Sequence, residues 1–433
     1  MTKRIVLIGA GSAMFGLGTL GDIFKEPKLE GSTVVLHDIN SLTLKATEQV
    51  AKTYLEKNNL DFTLVATTNR REAVKGADFC IISIEVGDRY VLWEQDWKVP
   101  LQFGIPQVYG ENGGPGGFFH AMRIIPPILS ICEDIAELAP NAHVINLSNP
   151  MIRISHAILQ VFPDLSYIGL CHEIASLVHH LPILLGLPAD GLEIKAGGLN
   201  HFSILIEARH KDSGEDLYPI IRQKGPEYFR NTENYFGYHG ERDLCVELLE
   251  RFGYLPNTTD SHFGEYIHWA YDSVDHQGIL TFYSEYKKSM LEPPLPPQDR
   301  LTIGSGEGEL WGIVPIISAF VTKEAHSELA VNIRNKGLIN CLPSEMPVEV
   351  PATIHDGNLV GIPLNPYPTG FGALLQNQVG TTILTTEAIR HKSKAIAKQA
   401  LLADPVFSRS SVVDDLLDTM IRLQSPYLDY LQA

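Results

Sequence analysis

Apolar residues in the first third of the chain fall in short unbroken runs separated by glycine-rich or polar stretches. In KRIVLIGAGSAMFGLGTLGDIF, Ile5 to Ile8 form an aliphatic run that breaks directly into glycines. This is the pattern of a buried parallel strand entering a helix. STVVLHDI predicts a second strand ending near Asp38, and ADFCIISIEVG a third that completes a βαβαβ half. PNAHVINLSNP predicts a strand whose end carries Asn149 before Pro150, LSYIGLCHE one ending at Cys171, and LEIKAGGLNH one ending at Asn200 and His201. Between the third and fourth of these, QVYGENGGPGGFFHAMRIIPPILSICEDIAEL predicts a compact loop, then a helix from Phe118, with loop N–H groups turned toward a ligand.

The second half changes period. YHGERDLCVELLERFGY, TTEAIRHKSKAIAKQALLAD and SVVDDLLDTMIRLQ repeat their apolar residues at helical spacing, and each predicts one helix. GLINCLPSEMPVEVPATIHDGN predicts short strands joined by turns, and EPPLPPQDR a proline-rich surface bend serving as an active-site flap or an oligomer contact. The fold class expected is α/β: a Rossmann-like doubly wound sheet over residues 1–200 and a second, mainly helical α+β domain over 201–433.

Composition narrows the function. At 433 residues and 44% hydrophobic content the chain has enough apolar material for more than one core. A formal net charge of −17 argues against nucleic acid or anionic membrane as partners. The five cysteines contain no CxxC pair, which points away from a disulfide framework and toward a reducing, cytoplasmic setting. No apolar run reaches the roughly 20 residues of a membrane-spanning helix.

The chemistry lies at the strand ends. Gly9 and Gly11 permit a tight turn and close backbone approach to a pyrophosphate, although Met14 stands where the dinucleotide fingerprint wants its third glycine. Asp38 falls where an acid bonds the ribose hydroxyls of NAD and repels a 2′-phosphate. In open α/β sheets ligands sit beyond the carboxyl ends of the strands, so Asn149, Cys171 and His201 are expected to converge beside the cofactor. A thiolate and an imidazole there form part of an open divalent-metal site. Taken singly, Cys171 reads better as a small buried hydrophobe and His201 as a core histidine bonded to backbone; together, at matched strand ends, they favour the metal site.

GAGS, YGENGGPGGFFHAMR, NLSNP, CHE and GGLNH, in this order, resemble glycoside hydrolase family 4. The resemblance implies an NAD- and divalent-metal-dependent glycosidase, usually with Mn2+, that departs from the two-carboxylate scheme. Such enzymes oxidise the sugar at C3, remove the C2 proton, eliminate the C1 leaving group, add water and re-reduce. It also implies Gly9, Gly11, Ser12, Asp38 and Asn149 around NAD, Cys171 and His201 as metal ligands, and Asn149 as a substrate contact. Asp260 is the favoured base within LPNTTDSHFGEYIHW and Tyr266 the second; Asp260 as a helix cap stands beside that reading. His172 and Glu173 are the candidate acids. His172 directly after the cysteine resembles α-glycosidases acting on unphosphorylated sugars or uronides such as galacturonides. Arg89, Arg123, Arg153 and Arg300 are available for a carboxylate or phosphate, with Arg89 and Arg300 the expected substrate contacts. A homodimer or homotetramer is expected from the family. The competing readings are an NAD-dependent sugar or 2-hydroxy acid dehydrogenase and an NAD sensor without turnover.

Overall fold

The computed structural model describes residues 2–11, 16–233, 240–291 and 312–432. Among the described residues, eleven strands form one sheet: β1 (Arg4–Ile8), β2 (Thr33–His37), β3 (Thr63–Thr67), β4 (Phe79–Ile82), β5 (His143–Asn146), β6 (Ser166–Gly169), β7 (Leu192–Leu199), β8 (Phe202–His210), β9 (His326–Arg334), β10 (Pro347–His355) and β11 (Asn358–Gly361). Their order is β3-β2-β1-β4-β5-β6-β9-β10-β7-β8, with β11 on β10. The first six are parallel and the remainder pair antiparallel. This is the doubly wound order followed by an antiparallel extension.

Strands β1 and β4 are nearly continuous in buried aliphatic residues, as strands covered on both faces must be. The helix Gly114–Leu138 covers one face and buries Phe118, Phe119, Ile124, Ile125 and Ile128 against them. The helix Val413–Leu423 returns to the same core through Leu416, Leu417 and Met420, so the chain's end packs where its beginning does.

Three expectations are corrected. The stretch before ADFCIISIEVG holds a further strand, β3, at the sheet edge, where its half-exposed residues carry little of the apolar signal that marked the others. The long helix begins at Gly114 rather than Phe118, with Pro115 inside its first turn, where the missing N–H costs no bond. TTEAIRHKSKAIAKQALLAD belongs to two helices, Val379–Arg390 and Lys394–Leu402, not one. Lys392 takes a left-handed φ of 49°, and the Ser393 side chain caps the second helix by accepting from the Ile396 N–H. The EPPLPPQDR bend, Ser12 and Arg300 lie outside the described residues.

Candidate functional site

The crevice starts at the end of β1. Gly9 has φ +87°, and a Cβ there would sit 2.0 Å from the Ser83 carbonyl oxygen at the end of β4. Only glycine fits this approach. The N–H of Gly11 donates to Asp38 Oδ2 at 2.9 Å, while Asp38 Oδ1 accepts from the Asn40 N–H at 2.8 Å. Asp38 therefore anchors the glycine turn as well as standing at the end of β2. Asn149 follows β5, and its Oδ1 is a buried acceptor without a hydrogen-bond partner. An orphaned acceptor at a strand end is costly unless a ligand meets it.

The second part of the site is built by β6 and the β7–β8 hairpin. Cys171 stands two residues past β6, and His201 occupies the hairpin turn with a left-handed φ of +60°. A non-glycine residue in that region stores strain, a feature that clusters at functional sites. Cys171 Sγ lies 3.2 Å from His201 Nε2, and Glu173 Oε1 lies 3.7 Å from the same nitrogen. Ligand atoms of Cys171, Glu173 and His201 all fall within 4.8 Å of one another. Thiol, imidazole and carboxylate together form a donor set for a divalent transition ion, with room for water or substrate oxygens. Burial, with Glu173 and Glu349 nearby, pushes the Cys171 thiol well above its usual range. Burial pushes the Glu173 carboxyl up to about 7.

Sequence reasoning passed over the groups that extend this cluster. His262 Nε2 lies 3.5 Å from Glu111 Oε2 and 4.0 Å from Glu173 Oε1, and its ring meets His201 edge to face at 4.8 Å. Burial opposes its charge, but Glu173 and Glu111 outweigh it and bring the imidazolium up to about 10. Burial likewise disfavours the Glu111 carboxylate, yet His262 and Arg89 hold it well below the usual range. The glycine-rich loop was expected to offer its N–H groups to a ligand. Those of Glu111, Asn112 and Gly113 instead donate to the Glu265 carboxylate, with Asn112 N at 3.0 Å and Gly113 N at 3.2 Å. This backbone nest fixes the loop that presents Glu111. Glu111 lies in the stretch read as a compact glycine-rich loop, and His262 and Glu265 lie in the stretch that carries Asp260 and Tyr266; neither pattern singles them out.

The remaining candidates are placed as follows. The Asp260 carboxylate accepts from the N–H groups of Leu244 and Cys245 at 3.1 Å each and of Asp275 at 3.0 Å. Its surroundings support the capping role, because two of these N–H groups belong to the first turn of the helix Asp243–Phe252. The Tyr266 hydroxyl donates to the Asn200 carbonyl at 3.4 Å, beside the turn that holds His201, and its ring stacks on Phe202. His172 is half-buried, and burial draws its imidazole down to about 4. Arg89 donates to Glu111 at 2.8 Å and lies over the Trp93 ring. Arg123 is committed to Asp96 and Gln424, and Arg153 to Asp404 and Thr385.

A family model described as family 4 glycosyl hydrolase matches residues 4–187, and the model of its C-terminal domain matches 196–407. The chain is 46% identical to an alpha-glucosidase of Erwinia rhapontici, with all of both chains covered. A candidate glucosidase from Bacillus subtilis has the same fold at 24% identity and a TM-score of 0.83, over 97% of this chain and 100% of that one. A 6-phospho-alpha-glucosidase from gut microorganisms, solved in complex with NAD and Mn2+, superposes with a TM-score of 0.80 at 19% identity over 99% of each chain. With both family models matched in chain order and a full-length relative at this identity, the chain belongs to glycosyl hydrolase family 4.

Proposed function

We propose that this chain is an α-glucosidase that uses NAD and a divalent cation such as Mn2+ and acts on unphosphorylated α-glucosides. The observation that carries the reading is the meeting of Cys171, Glu173 and His201 beyond the carboxyl ends of the strands, in a chain with a full-length alpha-glucosidase relative. When bound, NAD supplies a reversible hydride acceptor and the cation supplies charge stabilisation for a sugar oxygen that becomes negative. Gly9 and Gly11 admit the cofactor backbone, and Asp38 offers a carboxylate to its ribose. Asn149 Oδ1 accepts from a sugar hydroxyl. Cys171 Sγ, His201 Nε2 and a Glu173 oxygen hold the cation, and His262 Nε2 holds a proton between Glu111 and Glu173 beside it.

Commitment of Arg89, Arg123 and Arg153 to carboxylates of the protein favours a neutral hexose over a galacturonide or a 6-phosphate. The five free cysteines support a reducing, cytoplasmic setting. A homodimer or homotetramer completes the reading.

With NAD, Mn2+ and a reductant present, p-nitrophenyl α-glucoside is expected to release nitrophenol while NADH, followed at the same time, stays flat. Steady NADH production would instead identify a dehydrogenase. Preference for the galacturonide or the 6-phosphate in the same assay would overturn the substrate assignment.

A further inference from the structure

Glu349 lies in β10, close behind the turn that bears His201 and near Cys171, and it is only 1% exposed. A buried carboxylate usually meets a cation. Among the described residues, this one hydrogen-bonds to neutral groups. Oε2 accepts from Asn200 Nδ2 at 2.7 Å and from Asn332 Nδ2 at 3.1 Å, and Oε1 lies 2.8 Å from Ser203 Oγ. Asn200 and Ser203 flank His201 in the hairpin turn, so the carboxylate grips that turn on both sides of the strained residue.

Asn332 carries the link in the other direction. It pairs with Gly169, the last residue of β6 and two positions before Cys171. Its own strand neighbour on β10 is Glu349. The contact at Gly169 is tight, since a Cβ there would meet the Asn332 Cβ at 2.9 Å. One carboxylate therefore joins the strand end that bears Cys171 to the turn that bears His201.

We infer that Glu349 is a positioning residue that sets the separation of Cys171 and His201, and so the affinity of the site for its cation. This rests on the metal reading given above. The hydrogen-bond pattern distinguishes shape from charge. Ser203 Oγ is also 2.8 Å from the Leu199 carbonyl oxygen. Its single proton can serve that carbonyl while its lone pair accepts from a donor at the Oε1 position. Glutamine therefore reproduces the whole pattern, with its oxygen facing Asn200 and Asn332 and its amide N–H facing Ser203.

The test is Mn2+ binding to the purified full-length protein, read as the loss of the free-ion EPR signal, with circular dichroism as the fold control. Outer groups that orient metal ligands are worth roughly 10–100-fold in affinity. Glu349→Ala is expected to weaken Mn2+ by about that factor, Asn332→Ala by roughly tenfold, and Glu349→Gln to restore affinity to near the unsubstituted value. Where Glu349→Ala does not fold, Asn332→Ala and Glu349→Gln carry the comparison. Unchanged Mn2+ affinity in a folded Glu349→Ala or Asn332→Ala overturns the inference alone. A Glu349→Gln protein as weak as the alanine variant overturns the hydrogen-bond account. Failure of the unsubstituted protein to bind Mn2+ overturns the metal reading and this inference with it.

Discussion

Replacing His201 with alanine is expected to lower kcat on p-nitrophenyl α-glucoside by roughly 10^2 to 10^3-fold, the scale on which one preorganised charge-stabilising group acts. The same variant is expected to lose Mn2+ affinity, because its Nε2 is the atom toward which Cys171 Sγ and Glu173 Oε1 both turn. Cys171→Ser should behave alike, since a hydroxyl is a poor replacement for a thiolate ligand. Steady-state kinetics across a Mn2+ titration separates the two effects. Turnover near the unsubstituted level at all Mn2+ concentrations, in either variant, would remove this cluster from the chemistry.

Asp260→Ala is expected to cost about 2–4 kcal/mol of stability, because three backbone N–H groups lose a buried acceptor at once. Urea unfolding measures it. The cost is to the fold, and turnover per folded molecule is expected to stay within an order of magnitude. A folded Asp260→Ala or Asp260→Asn protein with turnover abolished would reinstate Asp260 as the base. Burial pushes this carboxyl up to about 6, against an unfolded value of about 3.9. Its protonated form is therefore the one the fold favours. The Asp260 contribution to stability is fully present below about pH 4 and declines as pH rises through 6. Asp260→Asn is expected to flatten that part of the stability profile.

The parts of the molecule legible in the sequence are those whose signal is local. Ile5 to Ile8 running into Gly9 announce a buried strand and a tight turn within a few residues, and Cys171 and His201 each sit at the end of a recognisable apolar run. What closes the site is non-local. Glu111 meets Arg89 across 22 positions, Glu265 reaches the glycine-rich loop across more than 150, and Glu349 reaches Asn200 across 149. No periodicity encodes such pairings. Asp260 shows the same limit from the other side: base and helix cap are both open in the sequence, and the three N–H groups that favour the cap include two from a helix that begins 17 positions earlier in the chain. The edge strand β3 has no fully buried position, so it lacks the unbroken buried run that marks β1 and β4.

The central claim is that this family 4 glycosidase breaks the glycosidic bond by removing the sugar's C2 proton, not by direct displacement at C1. Hydrolysis of an α-glucoside in D2O tests it most directly, with the released glucose analysed by NMR and mass spectrometry. Deuterium bonded to carbon at C2 is the expected result. Glucose with no carbon-bound deuterium would contradict it.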